Sequence, residues 1–216
     1  MKTFKDLTIK SSIEKLISLV EKLQISDSSD FKFVSDKSED YAKMIGKKTN
    51  EVLTFESPVI KGAIAFVWMV VGEESDLRIT NITPNKSGQL SIEQYNSILD
   101  SFYDKVIKPN IDENYHVILS TDTKTIVDYA GQEVAEKLQV WIKSANKSTL
   151  NTHPLDFERW ASFLITAHKN ESELTTSQLE KFLVDEIGIS EERLVSKIVI
   201  DYEYGRELLN EYDKHR

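Results

Sequence analysis

Hydrophobic and polar positions alternate most clearly near the middle of the chain. Residues 62–71 (Gly-Ala-Ile-Ala-Phe-Val-Trp-Met-Val-Val) are uncharged and apolar on both alternating faces. That pattern predicts a strand covered on both sides. Gly72 to Asp76 supplies turn chemistry, and Leu77 to Ile82 resumes with period two, so the pair reads as a central hairpin. Shorter strands are expected at Phe31–Val34, Glu51–Glu56 and Tyr115–Ser120. Pro58 closes the second of these, because proline cannot donate into a sheet ladder.

Helices are announced by their starts. Ser11-Ser12-Ile13-Glu14, Asp36-Lys37-Ser38-Glu39 and Ser91-Ile92-Glu93-Gln94 each read as a capping box, with Ser11, Asp36 and Ser91 as caps. Apolar stripes follow at Ile13, Leu16, Ile17 and Val20, at Tyr41, Met44 and Ile45, and at Ile92, Tyr95, Leu99, Phe102 and Val106. Beyond Thr121 no strand is expected. Val127, Ala130, Val134, Leu138 and Trp141 predict one long helix over 126–145. Pro154 opens the next, since a missing N–H costs nothing in a first turn. Thr175 and Gln178 cap a third, ending at Gly188. Ser190 begins the last, in which Val195, Ile198, Tyr202, Gly205, Leu209 and Tyr212 recur as a packing seam.

The fold class is therefore α+β: a mixed or antiparallel sheet with flanking helices, followed by a C-terminal four-helix array. The expected domains are 1–122 and 123–216, with the helix at 125–145 either in the second or bridging the two.

Composition narrows the function classes. The chain has 216 residues, no cysteine and a net charge of −9. Without cysteine there is no disulfide, thiol nucleophile or thiolate metal site, which suits a reducing cytoplasm. No secretory leader is read at the N-terminus, and no apolar run approaches the roughly twenty residues of a membrane helix. The negative charge argues against nucleic acid, whose phosphates call for surplus Lys and Arg. Residues 145–216 hold 14 acidic and 9 basic side chains, against 22 and 18 in residues 1–144, so the tail is the more acidic per residue. A basic protein partner suits that surface.

Candidate chemistry is sparse. Seven scattered glycines form no phosphate cradle. Leu179 to Ser196 has the outline of a helix-turn-helix, but Glu191 and Glu192 would face DNA phosphates, so a structural hairpin is expected. His153 with Asp156 or Glu158 can be an acid–base pair or a metal pair; the plainer expectation is that His153 and Asp156 cap a helix, with His168 near its C-terminal carbonyls. Asp100 and Asp104 share a helix face without a third carboxylate. No catalytic constellation, metal set or cofactor is expected.

Two sites remain as expectations. The leading one is a non-catalytic interaction surface on the acidic helices, carried by Glu191, Glu192, Tyr204 and Glu211. It suits an accessory subunit or an inhibitor of the antitoxin or immunity kind. The alternative is a small-ligand or hydrolase-type site at the loop after Ile82. There Arg78, Asn81, Asn85 and the N–H groups behind Ser91 would meet an anion, joined by His116.

Overall fold

The structure is a computed structural model that describes residues 1–25, 30–146 and 153–215. It divides into two compact units, Lys2–Asp122, and Met1 with Thr123–Arg216. The chain is α+β, with all six strands in the first unit and the C-terminal helices in the second.

The sheet contains β1 (Leu7–Lys10), β2 (Lys32–Phe33), β3 (Val52–Glu56), β4 (Ala65–Val71), β5 (Asp76–Pro84) and β6 (His116–Leu119). Their order is β2-β3-β4-β5-β1-β6, and every pairing is antiparallel. The central hairpin is β4–β5, as the alternation predicts. Strand β1 was not expected. Its four residues slot between β5 and β6, with Ile9 opposite both Leu77 and Val117. Those partners are far away in sequence, so nothing local marks the segment as a strand.

Three helices cover this sheet: α1 (Ile13–Ile25), α2 (Ser35–Ile45) and α3 (Ile92–Phe102), the last running on as a wider π turn over Tyr103–Ile107. Leu16, Leu19, Val20 and Leu23 of α1 and Ile98, Leu99 and Phe102 of α3 close over Ala65, Val67, Met69 and Val71. The other face of β4 is covered only in part. There α2 packs Ala42 and Tyr41 on Val52 and Val70, while Phe66 and Trp68 stay half-exposed. The expectation of a strand covered on both sides is therefore corrected to one closed face and one partly open face.

Two caps also differ. The first helix is capped from Ser12, whose hydroxyl faces Lys15 N at 3.5 Å, while Ser11 donates instead to the Asn114 carbonyl. Helix α2 starts at Ser35, with Val34 ahead of it, so Asp36 lies in its first turn rather than at the cap. The third box is as read: Ser91 Oγ accepts from Gln94 N, and Gln94 Oε1 from Ser91 N.

The second unit holds α4 (Ile126–Ala130), α5 (Gln132–Ser144), α6 (Pro154–Lys169), α7 (Thr176–Lys181, running on as a π turn over Phe182–Glu186) and α8 (Glu192–Lys214). The single helix predicted over 126–145 is broken at Gly131, which has a φ of 82°. Side chains avoid that conformation and glycine does not, so the backbone turns there while the apolar stripe runs on. Ile126, Val134, Leu138, Trp141, Trp160, Phe163, Leu183 and Tyr202 make one core. Thr175 caps α7 with Gln178 as its reciprocal partner. Of the predicted seam on α8, Val195, Ile198 and Tyr202 are buried, whereas Tyr212 is exposed.

Candidate functional site

The helix α6 begins as its sequence asks. Pro154 takes the first position, and His153 Nδ1 accepts from Leu155 N at 3.3 Å. Asp156 is buried, receiving Arg159 Nη1 at 2.8 Å and Asn146 N at 3.3 Å. Both side chains thus serve the helix start. His168 lies at 2.7 Å from Asp213 of α8, which makes it a link between two helices.

From this start α6 turns Trp160, Phe163, Leu164 and Ala167 inward. Trp160 packs against Trp141 at 4.6 Å between ring centroids, and Phe163 stacks on Tyr202 at 5.6 Å. Helices α6 and α8 come close at Gly205, where an added Cβ would lie 2.4 Å from Leu164 Cδ1. A side chain at 205 would require Leu164 to move.

Above this contact the two helices leave an apolar groove of about 370 Å³. Phe157, Ala161 and Ile165 form one wall, Tyr204 and Leu208 the other, with Asp201 at the edge and Gly205 and Leu164 in the floor. Phe157 is 58% exposed, Tyr204 67% and Leu208 71%. Ile200 and Tyr212 of α8 are exposed as well. Large side chains left in water singly are ordinary, whereas a contiguous apolar face on adjacent helices is the pattern found at interaction sites in general. The groove between two helices is also the shape that receives a third.

The four residues expected to carry partner binding do not sit together. Tyr204 forms the groove wall. Glu211 lies seven residues on, about 10 Å along the helix, and is paired with Lys214 at 2.5 Å. Glu191 and Glu192 stand exposed at the opposite, N-terminal end of α8, about 18 Å from Tyr204. The apolar members Phe157, Ile165 and Leu208 were missed. A helical wheel hints at them, since each is an apolar residue outside its helix's inward stripe.

The ligand residues also separate. Asn81 lines a hollow of about 490 Å³ with Phe4, Thr83, Gln89, Leu90 and Tyr95. Burial, with Asp6 nearby, pushes the Tyr95 hydroxyl up to about 12. Asn85 lines a neighbouring hollow of about 360 Å³. At the Ser91 cap the reciprocal box with Gln94 already engages Ser91 N and Gln94 N. Arg78 is on the open face of the sheet with Nε 3.9 Å from Asp76. His116 is level with Lys10 and Asp76, two strands across from β5 and about 17 Å along it from Asn81. His116 therefore does not reach the loop residues.

Among the described residues no three His, Asp or Glu side chains come together as a metal set. Asp100 meets Lys5, and Asp104 lies 3.7 Å from Lys108. No described helix is long and apolar enough to cross a membrane. No protein-family model, curated protein or solved structure matches the chain.

Proposed function

We propose that the chain is a non-catalytic protein-interaction module of the cytoplasm, an accessory subunit or an inhibitor of the antitoxin or immunity kind. Its helical unit docks another protein chain on the apolar face of α6 and α8. The observation that carries this reading is the exposure of Phe157, Tyr204 and Leu208 beside one another across two helices. Desolvating such a face drives association, and aromatic residues are favoured at the centres of interfaces. Acidic groups along α8, Glu191, Glu192 and Glu211 among them, select for basic chemistry in the partner.

The test is lysine cross-linking in the native host, read at Lys169 and Lys197, which flank the face. Cross-links from both to another protein chain, own copies included, are expected. If the two lysines link only within their own chain, the reading fails.

A second reading rests on the hollow lined by Asn81, Thr83, Gln89 and Tyr95, whose volume lies in the range of small-ligand sites. In this reading the first unit binds a small ligand there. A thermal-shift screen with nucleotides, metals and anions tests it, because a ligand of the folded state raises the melting point. A shift that survives Asn81→Ala would exclude the hollow.

A further inference from the structure

We infer that the chain that docks on the α6–α8 face is a second copy of this one, placed antiparallel across a two-fold axis at the level of Tyr204. This rests on the reading of the face as a protein-docking surface and names its occupant.

The exposed stripe of α8 is complementary to its own reverse. Tyr204 is the centre. Ile200 lies four residues before it and Leu208 four after; Lys197 lies seven before and Glu211 seven after. All five are exposed. When a second α8 runs in the opposite direction, Ile200 comes level with the partner's Leu208 and Lys197 with the partner's Glu211. The basic chemistry wanted from a partner is then supplied by the N-terminal half of the same helix. A parallel copy would instead set Lys197 against the partner's Lys197 and Glu211 against the partner's Glu211.

Helix α6 repeats the pattern independently. Glu158 and Lys169, both exposed beside Phe157 and Ile165, are centred between Phe163 and Leu164. Antiparallel pairing brings Glu158 to the partner's Lys169. The two centres lie at one level, because Leu164 is the residue that touches Gly205, next to Tyr204. One two-fold axis therefore satisfies both helices, as an isologous interface requires. Ala161 and Ser162 near the middle of α6 leave room for the second α6 to approach.

Sedimentation equilibrium of the full chain across micromolar concentrations tests the inference. A monomer–dimer equilibrium is expected. Each dimer contains the Lys197–Glu211 pair twice, so Lys197→Glu or Glu211→Lys alone weakens association about tenfold. The two together return it to near the parent value, because the pair is restored with its signs exchanged. Leu208→Glu, at a position exposed in the single chain, abolishes the dimer while circular dichroism stays unchanged. A monomer at every concentration overturns the inference. So does a dimer indifferent to Leu208→Glu, or a double reversal no better than the singles. A monomeric chain whose Lys169 and Lys197 still cross-link to a different protein in the host would reject the second copy and leave the docking reading standing. Loss of those cross-links would reject the docking reading itself.

Discussion

The sheet unit and the helical unit both leave large apolar side chains in water, and they do so in different patterns. In the first, Ile13 and Ile25 on α1, Met44 and Ile45 on α2, and Phe4, Val59 and Ile118 are spread over several elements. In the second, Leu155, Phe157, Ile165, Ile200, Tyr204, Leu208 and Tyr212 lie on the two neighbouring helices α6 and α8, with Val140 on α5 and Val184 after α7 exposed as well. The same kind of residue means different things in the two arrangements. Scattered exposure reflects a shortage of polar surface to cover a globule, whereas a continuous exposed apolar face is the pattern that interaction surfaces show. The difference follows from how each unit closes its core. Helices α1 and α3 seal one side of the sheet, and α2 seals half of the other. In the helical unit the Trp141–Trp160–Phe163–Tyr202 stack completes the core with the inward faces of α6 and α8, while Phe157, Tyr204 and Leu208 on their other faces stay exposed.

The sharpest way to break this comparison is to remove one apolar side chain from each setting. Phe102 is fully buried and packs against Phe31 and Phe55, with ring centroids 5.2 Å from each. Phe102→Ala is expected to cost about 3–5 kcal/mol in urea unfolding. Leu208→Ala, measured on dilute protein, is expected to cost less than about 0.5 kcal/mol. Similar losses would mean that Leu208 belongs to a core.

Polar tethering is the next contrast. Asn96 accepts from Lys5 N and donates to the Thr3 carbonyl, both at 2.9 Å, holding the segment that leads into β1. Asn96→Ala leaves two backbone groups without their partner and is expected to cost about 2 kcal/mol by the same measurement. In the helical unit, Tyr202 donates to the Leu174 carbonyl at 2.7 Å, and Arg206 donates to the same oxygen at 2.8 Å. Tyr202→Phe leaves that oxygen still bonded, so the expected loss is nearer 1 kcal/mol.

The smallest effect is one of pH. The folded chain holds the Tyr95 proton more tightly than the unfolded chain, whose tyrosines ionise near 10. The stability this contributes is complete below pH about 10 and is lost as pH rises through about 12. Tyr95→Phe is expected to flatten the fall in melting temperature over that window. An unchanged slope would place the hydroxyl in water.

What was legible in the chain was local. The Ser91–Gln94 and Thr175–Gln178 boxes lie within one turn and were read correctly, and the uncharged run before Gly72 marked the central hairpin. Strand β1 was not legible, because Leu7 and Ile9 acquire meaning only beside Leu77 and Leu119. The break at Gly131 was hidden by a stripe whose spacing continues across it. Of the docking face, Tyr204 was singled out for its acidic surroundings, while Phe157 was submerged in a polar stretch and Tyr212 was assigned to the seam. Periodicity tells which positions are apolar; it does not tell which are left over once the core is full. The expected grouping of Arg78 and Asn81 with His116 could not be weighed from the sequence either, since His116 comes to lie two strands from β5, level with Asp76 and five residues before Asn81.

The central claim is that the helical unit alone carries a face meant to be covered. Hydroxyl-radical footprinting across a concentration series measures this directly. The account predicts that Phe157, Tyr204 and Leu208 become protected as concentration rises, while Phe4, Met44 and Ile118 stay equally reactive. Constant reactivity at all six, or protection spread evenly over both sets, would contradict it.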